Sequence, residues 1–510
     1  MLIPLTVNWL LGSLLCVLGL HFLIRRRMPQ GVRLPPGPPG KWLVGNMADM
    51  PKEHEWETYT KWAKEYGEIV YIKVLQKPIV FVNSMSVAKD LFERRSRIYS
   101  DRFDAPMIVD LMGFHWNFVV MRYGDKWRRH RRTFHQYFNQ HAIKAFQPVQ
   151  TQCSRELLRR LREEPEEFLD HCRNLVGALA MKILYGIKVQ PKNDPYIKLA
   201  EDAFDAGSQA ANPGTFLVDT FPILKYVPEW MPGAGFKKKA RIWRTEIITK
   251  VPIIPFIACK EEWNAGKASP SFTASSLERI THNSELKFEE EEIIIRNTAA
   301  TAYGAAADTT TVALQWFFLE MALYPEVQIK AQSELDRILG DRLPTYEDQE
   351  YLPYINALCK EIQRYHTVFP LGIAHGLMED DIYNGYFIPK GSIVIGNSWA
   401  MLHDPDIYGP NVNKFDPDRF LRPGVPDPIA AFGHGRRICP GRHLAENTIF
   451  LAVASVLKVF NISPPKGDDG REIPIDVKFT SGAISRPLPY RCSITARSQE
   501  TDNLVNFALE

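Results

Sequence analysis

The first 24 residues, Met1 to Ile24, form one apolar run with no Lys, Arg, Asp or Glu, and Arg25, Arg26 and Arg27 follow directly. About 20 apolar residues suffice to cross a bilayer as a helix. A secretory signal would place basic residues before the run and a small-residue cleavage site after it. Here the order is reversed, so the pattern predicts an uncleaved N-terminal anchor over residues 1–27. By the positive-inside rule the body is then cytoplasmic. A cleaved signal and a buried amphipathic hairpin are the competing readings. Leu34-Pro35-Pro36-Gly37-Pro38-Pro39-Gly40 cannot continue a helix, because each proline removes a donor and disfavours helical geometry in its predecessor. Residues 28–41 therefore read as a stiff, extended hinge.

Beyond the hinge the hydrophobic period alternates between two types. Ile69–Leu75 and Ile79–Val82 are β-rich runs separated by Gln76-Lys77-Pro78, a hairpin pattern, and Ile393–Ile395 is a third candidate strand. Helical spacing marks Ser154–Arg162, Glu289–Leu323, Val327–Leu339, Leu352–Tyr365 and Leu444–Phe460. No long Gly/Ser linker, low-complexity tract or repeat interrupts the body. The expected fold class is mainly α with a minor β-sheet portion, in a single domain over residues 42–510.

Composition narrows the function classes. With 45% hydrophobic and 24% charged residues, a chain of 510 residues can bury a sizeable core. Its 62 basic and 59 acidic residues leave a net charge of only +3, so there is no global field to attract nucleic acid. The seven cysteines are odd in number, scattered and without a C-x-x-C pair, which argues against a disulfide scaffold or a structural zinc site.

The most informative stretch is Phe432-Gly433-His434-Gly435-Arg436-Arg437-Ile438-Cys439-Pro440-Gly441, followed by a helical pattern from Arg442. Gly435 and Gly441 let backbone pass close to a flat ligand, and Arg437 can reach an anionic group. A cysteine just before a helix start sees amide donors and the positive helix end, which favour its thiolate. F-x-x-G-x-R-x-C-x-G fixes five positions, so a random chain of this length would show it on the order of once in several thousand cases.

At these residues the sequence resembles the cytochrome P450 family. The resemblance implies haem b held between a long distal helix and the Cys-loop helix, with Cys439 as the axial iron ligand. In that family the thiolate pushes electron density onto the iron and favours cleavage of the O–O bond. It implies further that Glu361 and Arg364, at helical i, i+3 spacing, join Arg419 in a structural triad. Ala305-Ala306-Ala307-Asp308-Thr309-Thr310 resembles the oxygen-binding segment, with Asp308 and Thr309 as the proton-delivery pair and an alanine, Ala306, where glycine is usual. Trp127 and Arg131 reproduce a W-x-x-x-R spacing and, with Arg437 and His375, are expected to seat the haem propionates; Arg102 is a lesser candidate. His375 follows a strand-like Leu371–Ala374, and Gly376 stands where many relatives carry arginine. Phe221–Tyr226 and Ser481–Pro487 resemble fungal microsomal members of specialised metabolism.

The function so implied is insertion of one oxygen atom from dioxygen into a largely apolar small organic molecule at the endoplasmic reticulum membrane. NADPH electrons would come through a separate flavoprotein reductase, since no G-x-G-x-x-G stands in a strand-to-helix context. A haem-thiolate isomerase or dehydratase working without dioxygen would not need the Asp308-Thr309 pair. Neither would a membrane-bound haem sensor or carrier. Candidate pocket segments are Phe103–Phe118, Ala211–Trp230, Val368–Leu371 and Gly482–Ile484, and they name no substrate.

A cytoplasmic body has a direct topological test. Asn461-Ile462-Ser463 matches an N-glycosylation acceptor, and it is expected to stay unmodified when the full chain is expressed in a eukaryotic host. A glycosidase-sensitive mass shift abolished by Asn461→Gln would place the body in the lumen instead.

Overall fold

The computed structural model describes residues 29–75, 77–211, 214–283 and 287–507. The expected anchor lies outside them, and among the described residues no helix is long and apolar enough to cross a membrane. In chain order the longer helices are α1 (Glu55–Tyr66), α2 (Asp125–Phe138), α3 (Gln147–Glu163), α4 (Phe168–Tyr185), α5 (Pro195–Ala211), α6 (Gly235–Trp243), α7 (Lys250–Asn264), α8 (Phe272–Thr281), α9 (Phe288–Leu323), α10 (Pro325–Leu339), α11 (Pro353–Tyr365), α12 (Arg442–Val459) and α13 (Gln499–Phe507). The strands are short: β1 (Ile69–Val74), β2 (Lys77–Val82), β3 (His375–Gly376), β4 (Asp381–Tyr383), β5 (Tyr386–Ile388), β6 (Ile393–Gly396), β7 (Phe460–Ser463) and β8 (Ser493–Ala496). The fold is mainly α with a minor β portion, as expected.

The axis of the molecule is α9, 36 residues long. Glu289, Glu290 and Glu291 in its first turn oppose the positive end of the helix dipole. It stops at Tyr324 because Pro325 follows, and the residue before a proline is driven out of helical geometry. From Ile294 to Ala322 most of its side chains are buried, so it is packed around most of its circumference, against α2, α4, α5, α7, α8 and α12 among others. The prediction Leu444–Phe460 was displaced at both ends: α12 begins at Arg442, and Phe460 turns extended and opens β7. Ser154–Arg162 is only the second half of α3, which starts seven residues earlier beside Pro148, a residue suited to a first helical turn.

The largest sheet has the order β1-β2-β6-β3. β1 and β2 pair antiparallel with Ile69 opposite Val82, β2 runs parallel to β6, and β3 closes the far side with His375 opposite Val394. Leu371–Ala374 is not strand: Gly372 adopts φ +56° in a turn, and only His375 and Gly376 pair. The Pro-rich segment lies along these sheets. Tyr71 N–H donates to the Pro36 carbonyl (2.8 Å) and Phe387 N–H to the Arg33 carbonyl (2.7 Å), and a side chain at Gly37 would collide with the Tyr71 carbonyl.

On α11, Glu361 and Arg364 are completely buried, and Arg419 joins them from the segment Pro417–Leu421. Glu361 Oε2 accepts from Arg364 Nε (2.7 Å), while Oε1 accepts from Arg364 Nη2 (2.8 Å), the Asp416 N–H (2.9 Å) and Arg419 Nε (3.2 Å). Arg364 also donates to the carbonyls of Leu402 and Val412, and Arg419 to those of Tyr408, Asn411 and Lys414. One carboxylate and two guanidiniums thus fasten α11 to the chain that leads into the Cys439 loop. Removing one partner strands the others in a dry core, at a cost of about 3–5 kcal/mol. Glu361→Ala and Arg364→Ala are therefore expected to lower the yield of folded, haem-loaded protein and its melting temperature, rather than turnover per haem. Wild-type melting temperatures in both would refute this.

Candidate functional site

The loop before α12 is shaped by a few close approaches. Gly435, at φ +56°, lies so near the Phe92 carbonyl that any Cβ would collide with it, which seats the loop against the segment Lys89–Arg94. The Cys439 N–H donates to the Phe432 carbonyl (2.8 Å), closing the turn that presents the thiol. Burial raises the pKa of that thiol, against the Gly441 amide and the nearby Arg131, which both lower it.

Arg131 reaches this loop from α2: its Nη2 donates to the Ile438 carbonyl at 2.6 Å. Arg437 donates to the carbonyls of Ser100 (2.8 Å), Phe118 (3.3 Å) and Met121 (2.7 Å), and its guanidinium lies 4.4 Å from the ring centre of buried Trp127. His375 Nδ1 bonds the adjacent Tyr99 carbonyl at 2.7 Å, and Phe92 packs on its ring. Burial and the neighbouring Arg102 hold the His375 pKa well below its usual value, which favours the neutral ring. Arg102 itself is buried and donates to the carbonyls of Val119, Ile373 and Ala374. The fold therefore gathers Trp127, Arg131, His375, Arg437 and Cys439, and it adds Arg102 to the group. The glycine at 376 has a packing reason, because a Cβ there would come 2.8 Å from the Arg102 carbonyl oxygen.

The charge of this group tests what it can hold. Arg102, Arg131 and Arg437 donate to backbone carbonyls, and among the described residues none of them forms an ion pair with a carboxylate. Burial depresses all three, Arg131 and Arg437 to about 10. Buried charges are stable only when paired. Three guanidiniums beside a neutral imidazole and a thiol thus fit a flat group with two carboxylates and a metal that binds sulfur, which is the chemistry of haem propionates and iron.

Phe118 connects this cluster to the distal helix: its carbonyl accepts from Arg437, and its N–H donates to Thr301 Oγ1 of α9 at 3.3 Å. Along α9 the side chains then become small. Ala305 is exposed in mid-helix, and a Cβ on Gly304 would meet no atom within 4 Å, so this face borders open space. Thr309 Oγ1 donates to the Ala305 carbonyl at 3.0 Å. The helix runs unbroken through Ala306. Asp308 is buried, and its Oδ1 accepts from Arg486 Nη2 at 3.2 Å. Burial raises its pKa to about 7, against Arg486, which lowers it. Arg486 was not singled out in the sequence, where an arginine in Ser485-Arg486-Pro487 carries no signal of its own.

The family model described as Cytochrome P450 matches residues 35–492. Cytochrome P450 monooxygenase COX1 of Coprinopsis cinerea is 41% identical over 93% of this chain and 93% of its own length. Cytochrome P450 monooxygenase 208 of Postia placenta is 42% identical over 97% and 96%, and tryptamine 4-monooxygenase of Psilocybe cyanescens is 39% identical over 96% and 98%.

If Cys439 is the sulfur ligand, the purified chain should show a thiolate-type spectrum in its reduced carbon-monoxide complex, and Cys439→Ala should lose it. Retention of that spectrum in the variant would assign the ligand elsewhere.

Proposed function

Because the chain belongs to the cytochrome P450 family of haem-dependent monooxygenases, we propose that it inserts one oxygen atom from dioxygen into a largely apolar small molecule of fungal secondary metabolism. The observation that carries the reading is the presence of two half-sites in one fold: Cys439 beside buried and half-buried guanidiniums that lack carboxylate partners, and Asp308-Thr309 on a small-sided helix face. Haem iron, when bound, supplies the reduction of dioxygen and the transfer of oxygen to the substrate. Cys439 would hold the iron, and Trp127, Arg131, His375 and Arg437, with Arg102, would seat the propionates.

Thr309 would stand where oxygen is reduced. Its hydroxyl is anchored by the Ala305 carbonyl, so its lone pairs can accept a proton donor on the other side. Asp308, poised near neutral pH, can both take up and release a proton under working conditions. Ala305, Gly304 and Ala306 leave the space that a diatomic molecule needs.

Electrons would come from an NADPH-dependent flavoprotein reductase. The exposed cations Arg128 and Arg132 of α2 and Arg436 of the Cys439 loop offer a docking face for an acidic partner. Segments 103–118 and 211–230 pack Met107, Ile108, Met112, Phe114, Trp116 and Val218 into one buried apolar cluster, surroundings that suit an apolar substrate better than a charged one. A relative whose name gives tryptamine 4-monooxygenase supports secondary metabolism. We place the anchor in residues 1–27, the hinge in 28–41 and the catalytic body in 42–510, at the endoplasmic reticulum membrane. Exposed Phe221, Ile223, Tyr226, Trp230 and Met231 would give the body a second apolar hold on that surface.

Thr309→Ala decides the reading. The variant is expected to load haem and bind substrate nearly as the wild type does. Its electrons should leave as hydrogen peroxide, so NADPH consumed per product should rise at least about tenfold, in line with the loss of a positioned proton donor. Unchanged coupling would remove Thr309 from the reaction, and turnover without NADPH would point to an isomerase.

A further inference from the structure

Two buried carboxylates of this chain are treated in opposite ways. Glu361 receives four donors, and both of its oxygens are used. Asp308, also buried, receives one: Arg486 Nη2 reaches Oδ1 at 3.2 Å, and Oδ2 is buried without a partner. A charge-assisted bond between guanidinium and carboxylate is usually about 2.7–2.9 Å and often doubled. The Asp308–Arg486 contact is longer and single, so it is not built to neutralise a structural charge.

The backbone beneath Arg486 is, by contrast, firmly held. Thr480 N–H donates to the Arg486 carbonyl (2.8 Å), Arg486 N–H donates to Thr480 Oγ1 (3.0 Å), and Thr480 Oγ1 donates to the Ile484 carbonyl (2.7 Å). Next to it, Ser485 N–H donates to the Val368 carbonyl (3.0 Å), and the Ser485 carbonyl accepts from Trp316 Nε1 (3.2 Å) of α9 itself. The loop that carries the guanidinium is thus tied to the helix that carries the carboxyl. On its far side the guanidinium lies 5.9 Å from the ring centre of Phe204 on α5, so it bridges α5 and α9.

We propose that Arg486 is the positioning residue of the proton-delivery carboxyl: from a pinned loop it holds Asp308 by Oδ1 alone and leaves Oδ2 to take up and pass on a proton. This rests on the reading of Asp308 given above. The other groups that act on the carboxyl are Glu201 and Asp205 of α5 and Arg173 of α4, and Tyr303 lies near it on its own helix. Glu201 is half-buried and lies 3.6 Å from Arg173. Burial, Glu201 and Asp205 all favour the protonated form of Asp308, and Arg486 is the leading cause in the other direction. With Arg486 gone, the carboxyl should hold its proton to higher pH and release it too slowly to serve as a relay.

The test reads the proton directly, in resting full-length haem-loaded protein without turnover. The infrared carbonyl band of the protonated carboxyl, assigned by its disappearance in Asp308→Asn, is titrated with pH in wild type, Arg486→Gln and Arg486→Lys. An opposite charge at this range typically moves a carboxyl by about 1–3 pH units. The midpoint should therefore rise by at least about one pH unit in Arg486→Gln and return close to the wild-type midpoint in Arg486→Lys, which keeps the charge. Should the glutamine variant fail to load haem, Arg486→Met, which keeps the stem and drops only the charge, serves in its place. A midpoint unchanged by loss of the charge overturns the proposal, as does a lysine variant that titrates like the neutral one. A raised midpoint alongside unchanged NADPH coupling in Asp308→Asn would keep Arg486 as the group that sets this carboxyl and remove Asp308 from proton delivery.

Discussion

The buried triad of Glu361, Arg364 and Arg419 is the condition on which the geometry of the proximal side rests. Ionised groups in a dry core add little net stability over well-packed apolar ones, and they are intolerant of error, because every oxygen and N–H must meet its partner or a charge is stranded. Arg364 and Arg419 meet that demand by donating to carbonyls of Leu402, Tyr408, Asn411, Val412 and Lys414. An irregular stretch of chain is thereby held in one path, and the segment from Phe432 to Gly441 starts from a fixed place. The glycine at 435 and the Cys439–Phe432 backbone bond then have a rigid base to work from.

The cofactor side follows the opposite principle. Arg102 is buried and Arg131 and Arg437 are partly buried, and among the described residues none of the three forms an ion pair with a carboxylate. Their donors rest on carbonyls that hold the guanidiniums in place without cancelling them. A dianionic cofactor seated there would complete the electrostatics of the fold, and whatever binds the folded state alone stabilises it by mass action. Charge and folding are linked on this side, whereas the triad is satisfied within the chain.

Legibility in the sequence tracked how local each signal was. The β1–β2 hairpin, the long α9 and the helices α10 and α11 were readable, because each carries a clear hydrophobic period or an acidic start. Helix α4 carries little such contrast: buried residues from Phe168 to Tyr185 lie on nearly every face, so helical periodicity is blurred. The strand at His375–Gly376 was placed too early, since Leu371 to Ala374 is apolar enough for a strand while Gly372 turns the chain. The Cys439 stretch could be read because its residues are consecutive. The Asp308–Arg486 contact spans 178 residues, and nothing in either segment marks the other. Arg102 lay between these cases, and its burial beside Arg437 and His375 arises only from folding.

The loop from Thr480 to Arg486 is fastened chiefly through main-chain atoms: Ser485 by both its N–H and its carbonyl, and Arg486 likewise through Thr480. Its course is therefore set largely by these bonds, with Ile484 buried in the apolar core as a further tie. The register with Trp316 and Val368 rests on main-chain atoms, whereas a change at Ile484 must refill a packed core. Point changes within this segment thus separate into those that its backbone bonds absorb and those that the core beneath it must accommodate.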